Sequence, residues 1–200
     1  MPNEVQQIRA FVAVHVPEAV REKLRTVQRQ FGEAMPEEAV RWAPFEQLHL
    51  TLEFLGNVAE GGISQLKGAL DKVASQHDVF RLAAKSIGAF SSVRNPRVIW
   101  AGIVGQVEAL THLQADVTAA VRQWVQEEET RKYHPHLTLG RVRPIKPRDV
   151  RKVSAALAKG ESGDFGEWDV EAFHLMQSKL SPHGTQHSVL ATFPLQRIQA

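Results

Sequence analysis

His49-Leu50-Thr51-Leu52 and His136-Leu137-Thr138-Leu139 are the same tetrapeptide, set 87 residues apart (136 − 49) in a chain of 200. Each lies in a run that alternates like a β-strand, so the His and the Thr two positions later project from one face. Imidazole has an ordinary pKa near ~6.5, and both of its protonation states exist around neutrality. Two such rings across one cleft can supply a base that activates an attacking oxygen and an acid that protonates a leaving oxygen. A Thr hydroxyl beside each ring is a short donor for the non-bridging oxygens of a phosphate. A lone His on a strand is ordinarily a structural residue with satisfied hydrogen bonds, and Leu and Thr suit strands in any case. Repetition of all four residues at near half-chain spacing favours paired acid–base chemistry on a phosphodiester instead.

His134-Pro135-His136 also has the alternate spacing of two metal ligands on a strand. Zinc would need a third ligand, which His49 supplies if the two motifs face each other. Two His alone are a weak metal signature, and the duplicated Thr points to phosphate, so the expectation is no metal and no cofactor. Arg141, Arg143, Lys146, Arg148, Arg151 and Lys152 face a single acid, Asp149, over twelve residues. Such a run either follows a nucleic-acid backbone or is a solvated surface. His15, His77, His112, His174 and His183 have no constellation around them in the sequence.

The elements that position the two motifs read as follows. Ile8 to Val16 is a strand, and Pro17-Glu18 opens a helix whose apolar positions Val20, Leu24, Val27 and Phe31 recur at helical spacing. Val40 to Phe45 leads into the strand Leu48–Leu55, ended by Gly56-Asn57. Gly61 to Ala74 is a second helix. Val79–Phe90 and Arg97–Val104 form a hairpin around the turn-rich Ser91–Pro96. Val107 to Val125 is a third helix, Pro135–Val142 the second motif strand, and Asp149 to Lys159 a shorter helix ended by Gly160. Trp168–Lys179 and His187–Pro194 close the chain as a hairpin around Ser181-Pro182-His183-Gly184. Each half thus reads strand, helix, motif strand, helix, strand. The expected fold is α+β, with two pseudo-twofold-related lobes, each an antiparallel sheet with helices outside, flanking a central cleft. The whole of 1–200 is expected to be one bilobal domain with an internal repeat, approximately 8–96 and 97–195.

Composition narrows the class. A hydrophobic fraction of 43% and a charged fraction of 23% are ordinary for a globular chain, and the formal net charge is only +2. With a sequence pI near 9.0, a polyanionic substrate is permitted but not demanded. Cys is absent, which rules out disulfides, thiolate nucleophiles and Cys-ligated zinc. The first apolar run, Phe11-Val12-Ala13-Val14, is too short for a signal peptide, and no stretch approaches the ~20 apolar residues needed to cross a bilayer. A soluble, cytoplasmic, monomeric protein is expected.

Both tetrapeptides match the H-x-T-x motif of the 2H phosphoesterase superfamily. The contexts Arg41-Trp42…Leu48-His49-Leu50-Thr51-Leu52-Glu53-Phe54-Leu55-Gly56 and Pro135-His136-Leu137-Thr138-Leu139-Gly140-Arg141 resemble its bacterial and archaeal RNA 2',3'-cyclic phosphodiesterase branch, historically called 2'-5' RNA ligase. Further similarity runs from Phe11-Val12-Ala13 through Ile87-Gly88-Ala89-Phe90 and Pro96–Gly102 to Leu190–Leu195. The resemblance implies a metal-independent hydrolase that opens an RNA 2',3'-cyclic phosphate, on RNA ends or tRNA fragments, to leave a 2'-phosphomonoester. It implies His49 as proton donor, His136 as proton acceptor, and Thr51 and Thr138 as phosphate ligands. The identical motifs do not by themselves tell donor from acceptor.

Relatives commonly carry an Arg at Arg141, which would neutralise phosphate charge. Strict alternation places it on the face away from His136 and Thr138, and it reaches the cleft only if the strand bulges or ends at Gly140. The family layout also puts Phe11 and Trp42 near the groove as base-stacking residues. His187 stands where relatives often have Tyr. Two alternatives remain at this stage: reversible 2'-5' ligation of tRNA halves by the same groups, and an RNA-binding module without catalysis.

Overall fold

A continuous apolar run, Ala10 to Val14, buried on both faces, forms the centre of strand β1 (Gln7–His15). Pro17 then leads into helix α1 (Glu18–Ala34), whose Glu18 sits in the first turn where a carboxylate suits the helix dipole. The chain continues as β2 (Val40–Trp42), β3 (His49–Ala59), α2 (Ile63–Ala74), β4 (Phe80–Phe90) and β5 (Val98–Gly105). It ends with α3 (Val107–Val121), β6 (His136–Val142), α4 (Pro147–Ala158), β7 (Asp164–Val170), β8 (Ala172–Ser181) and β9 (Gly184–Pro194). This computed structural model describes residues 6–126, 131–159, 163–181 and 184–197. Gly160, Pro182 and His183, expected at a helix end and at the closing turn, lie outside them.

The strands run β7-β4-β5-β6-β3-β1-β8-β9, with β2 beside β6. Neighbours are antiparallel, and β3 and β6 share one registered pair, Leu50 opposite Leu137. The α+β bilobal expectation therefore holds, with one difference: the two lobes' sheets join edge to edge at that pair. From the seam outward, one lobe is β3-β1-β8-β9 and the other β6-β5-β4-β7. The strand order is an exchange. β4 pairs with β5 of the later half, and β8 returns to pair with β1 of the earlier half. Helices α1 and α4 pack together against β7 and β4, and α2 and α3 pack together against β8, β9 and β3.

Leu50, Leu52, Leu137 and Leu139 point toward the helices and join Val12, Val14, Leu24, Leu66, Leu110 and Leu113 in the main core. Burying each of these side chains contributes ~1.5–3 kcal/mol, which fixes the register of both motif strands, because a slip of one residue would expose every Leu. The opposite face of the sheet carries a small apolar cluster of Phe11, Ala13 and Met176.

Three elements differ from the sequence reading. β3 does not stop at Gly56 but continues to Ala59, through a positive φ of 75° at Gly56 and two register shifts against β1. The strand expected over Trp168–Lys179 is two strands separated by Glu171, because the chain crosses there from the β4 edge of one lobe to β1 of the other. Val40–Trp42, read only as an approach to the first motif, pairs with β6. Among the described residues no helix is long and apolar enough to cross a membrane.

Candidate active site

The pair Leu50–Leu137 sets an antiparallel register in which His49 lies across from Thr138 and Thr51 across from His136. With both leucines in the core, all four polar residues project to the other face, into the cleft between the lobes. Each imidazole thus sits opposite the other motif's hydroxyl. A phosphate between them meets two rings and two donors.

Both rings are held the same way. The Nδ1 of His49 is 2.6 Å from the Gln47 carbonyl, and the Nδ1 of His136 is 2.7 Å from the His134 carbonyl. A carbonyl only accepts, so Nδ1 carries the hydrogen in each ring and Nε2 is left to give or take a proton. Gln47 also donates through Nε2 to the Thr185 carbonyl, which ties the β8–β9 hairpin to the turn before His49. The Tyr133 hydroxyl donates to the Thr51 carbonyl over 3.1 Å and fastens the approach to the second motif onto the first. Burial raises the Tyr133 pKa, so the phenol stays protonated and remains a donor.

Burial pushes the pKa of His49 down to about 4. Its Gln47 bond opposes that shift, while the charges that His187, His15 and His136 would carry add to it. Burial also lowers His136, again against its backbone bond, with His134 and the Arg141 guanidinium adding to the effect. An empty cleft therefore favours two neutral rings, and a negative charge placed between them favours protonation.

The rings stand on aromatic supports. Phe11 lies 4.9 Å from His49, and Phe90 lies 4.9 Å from His136, edge to face. Trp100 joins Phe90 at 5.4 Å and His134 at 5.2 Å. The indole lies flat across Gly88, where a Cβ would meet its ring at 2.3 Å. Phe11 is only 3% exposed, so the base-stacking expectation for it is corrected, whereas Phe54, 6.0 Å from it, is 62% exposed. His187 enters the same cleft, 4.9 Å from Phe11 and 5.3 Å from His49. Its Nδ1 is buried with no hydrogen-bond partner among the described residues.

Arg141 reaches the cleft by the route that alternation alone forbids. Trp100 pairs with Thr138 and Ile99 with Gly140, so Leu139 is an extra residue in β6. Leu139 and Gly140 both face the core, and Arg141 returns to the side of Thr138. Its effect on His136 fits that placement. Trp42 does not join the cleft. It pairs with Gly140 and packs on the main core, where a Cβ on Gly140 would come within 2.9 Å of its ring and within 2.7 Å of Val40. The base-stacking expectation for Trp42 is therefore corrected. Alternation in β2 gives the cleft face to Arg41 and the core face to Val40 and Trp42.

Sequence reasoning left several cleft residues unnamed as such. His15 lies directly across β1 and β3 from His49, and its ring stacks on His174 at 3.7 Å. His174 Nδ1 is 3.1 Å from Thr192 Oγ1. The parity of β1 carried the signal for His15, which shares a face with Phe11 and Ala13. The alternate spacing of His134 and His136 carried the signal for His134, while nothing local showed that Phe90 and Trp100 gather beside it, because the register shifts of β4, β5 and β6 are set by pairing. His134 and His136 are 6.4 Å apart, centroid to centroid, and no three of His, Cys, Asp or Glu among the described residues gather closely enough to hold a metal ion.

The profile of LigT-like phosphoesterases matches residues 14–100 and 104–185, one segment around each motif. The chain belongs to this LigT-like phosphoesterase family. Among its relatives, an RNA 2',3'-cyclic phosphodiesterase of Archaeoglobus fulgidus is 33% identical over 93% of this chain and 99% of its own length. The RNA 2',3'-cyclic phosphodiesterase of Thermus thermophilus is 32% identical, with 94% of this chain and 90% of that protein covered. A solved structure from Thermus thermophilus superposes with a TM-score of 0.78 at 29% identity, covering 96% of this chain and all of that one. Escherichia coli LigT, crystallised with 3'-AMP, shares the fold at a TM-score of 0.76 and 23% identity, over 96% of this chain and 99% of that one.

Proposed function

We propose that this LigT-like phosphoesterase hydrolyses the 2',3'-cyclic phosphate of RNA ends to a 2'-phosphomonoester. The observation that carries this reading is the crossed quartet of His49 opposite Thr138 and Thr51 opposite His136, with both imidazoles fixed through Nδ1. Nε2 of His136 takes a proton from water as its oxygen attacks phosphorus. The P–O3' bond breaks, and Nε2–H of His49 delivers its proton to O3'. Thr51 and Thr138 hold the non-bridging oxygens, where charge must be stabilised, and Arg141, further along β6, adds a cation at the mouth of the cleft. Burial favours the neutral form of both rings, so His49 acts as donor only once the bound phosphate has charged it, the role that the family resemblance implies.

Phe11 braces His49 from beneath, and Phe54 beside it offers an open ring to the terminal base. The partners of this reading are RNA ends or nucleotides with a cyclic phosphate, tRNA fragments included. The chain acts as a monomer in the cytoplasm, where a protein without Cys needs no oxidising compartment. Residues 8–96 and 97–195 are two copies of one unit within a single bilobal domain, and the palindromic strand order supports this.

The test is incubation of the purified protein with nucleoside 2',3'-cyclic phosphates in excess EDTA, with product regiochemistry read by phosphorus NMR. The 2'-phosphomonoester is expected. A 3'-phosphate product, or no turnover, would overturn the assignment.

A further inference from the structure

β6 has two neighbours on its cleft-facing edge. β3 pairs with it at Leu137 and then diverges, and β2 takes over at Gly140–Val142. The residues that meet at this second contact are Arg41 and Arg141, directly opposite each other. Both are exposed, and both are on the face of Thr138, since Val98, Arg141 and Arg41 are in one cross-strand row while Val40 and Trp42 turn to the core.

Like charges directly opposite one another in an antiparallel pair are destabilising. No carboxylate among the described residues forms an ion pair with either guanidinium, although Arg81, Lys85 and Arg197 elsewhere on the surface are paired. The bulge at Leu139 is what brings the two charges to one face. A fold that uses a bulge to create an uncompensated cationic pair at the mouth of a phosphate cleft has placed a permanent anion receptor there.

The distance along β6 sets what the anion is. Thr138 is beside the reacting phosphate, and Arg141 stands two effective strand positions further, about 7 Å on at ~3.3 Å per position. That is the scale of one nucleotide of backbone. We infer that Arg41, paired with Arg141, binds the phosphodiester next to the cyclic end, so that this cleft takes oligoribonucleotides in preference to mononucleotides. Guanidinium forks match phosphate oxygens with fixed donors. The inference rests on the phosphodiesterase reading above and extends it from the reacting phosphorus to the neighbouring one.

The experiment compares a nucleoside 2',3'-cyclic phosphate with a dinucleotide that ends in the same cyclic phosphate and adds one phosphodiester. In the unmodified protein the dinucleotide should have the higher kcat/KM. In Arg41→Ala the ratio of dinucleotide to mononucleotide kcat/KM should fall about tenfold, and Arg41→Lys should recover part of it. The slope of log kcat/KM against log salt for the dinucleotide should become shallower by about 0.7, the value for one phosphate contact on a single strand. Equilibrium titration with the corresponding 2'-phosphate products gives the same comparison without turnover, so failure of the hydrolase reading is seen apart from failure of this one. A ratio within twofold of the unmodified protein in Arg41→Ala would overturn the inference, as would an equal loss on both substrates.

Discussion

The side-chain amide of Gln28, in α1, donates to the Leu139 carbonyl 2.8 Å away, across 111 residues of sequence. The same Nε2 reaches the Ala43 carbonyl at 2.9 Å, and the Ala43 amide donates to the same Leu139 carbonyl. Among the described residues Gln28 is the buried polar side chain of an otherwise apolar core, at 7% exposure. Its bonds stabilise the residue that β6 carries in excess, and with it the turn of Arg141 into the cleft.

Gln28→Leu should therefore cost more than an ordinary core substitution of similar volume. It removes the donor to the half-buried Ala43 carbonyl and leaves the buried Leu139 carbonyl with the Ala43 amide alone, a loss of ~1–3 kcal/mol in denaturant unfolding. Because the bulge sets the side of Arg141, kcat/KM on a cyclic phosphate should fall as well. Full stability with full activity in this variant would separate the bulge from Gln28.

Replacing His49 or His136 by Ala should each lower kcat by ~10²-fold or more, the usual scale for a lost general acid or base. The double variant should lose less than the product of the two single losses, because the rings act on one transition state. Near-normal turnover in either single variant would remove that ring from the mechanism.

Stability should depend on acid. His49 and His174 are both held down to about 4, and His15, His136 and His187 are also lowered, in each case chiefly by burial. Each group binds its proton more weakly folded than unfolded, so protons favour the unfolded chain. The stability that these rings contribute is fully present above ~6.5 and declines as pH falls toward about 4. Urea midpoints measured from pH 8 to 4 should be flat at first and then drop, more shallowly in His174→Gln. An increase in stability on acidification would contradict the burial of these rings.

Anion binding should pull the other way. A phosphate held between His49 and His136 favours their charged forms, so binding a nucleoside 2'-phosphate near pH 6.5 should take up protons. Calorimetric titration in two buffers of different ionisation enthalpy measures this directly. Zero net uptake would mean that the anion does not sit between the rings.

Gly88→Ala should be costly, since the new Cβ would meet the Trp100 ring at 2.3 Å, less than contact allows. The indole would have to leave its place beside Phe90 and His134, in the ring cluster around His136. We expect a lower Tm, and a fall in kcat larger than any rise in KM. Activity undisturbed by this change would show that Trp100 does not hold the acceptor side.

The His and Thr quartet was legible because its information is local. His, Leu, Thr and Leu alternate within four residues, and period two alone puts His and Thr on one face. The pairing of the two copies followed from identity at near half-chain spacing. What could not be read is set at long range. The side of Arg141 depends on an extra residue in β6 and on an amide from α1. Trp42 was misplaced because three residues of β2 are too few to show which face a neighbouring strand will bury. Trp168–Lys179 reads as one apolar run, yet Glu171 sends its two parts to different lobes.

The seam at Leu50 and Leu137 is a single rung in a sheet otherwise laddered by many. The two proton-carrying rings straddle that weakest line, each anchored to its own stiff wall by a backbone carbonyl. The gap between them is crossed by one backbone rung and the buried leucines beneath it, while the pose of each ring is set by its own carbonyl. An anion in that gap would meet two imidazoles whose aims are set separately, one by each lobe.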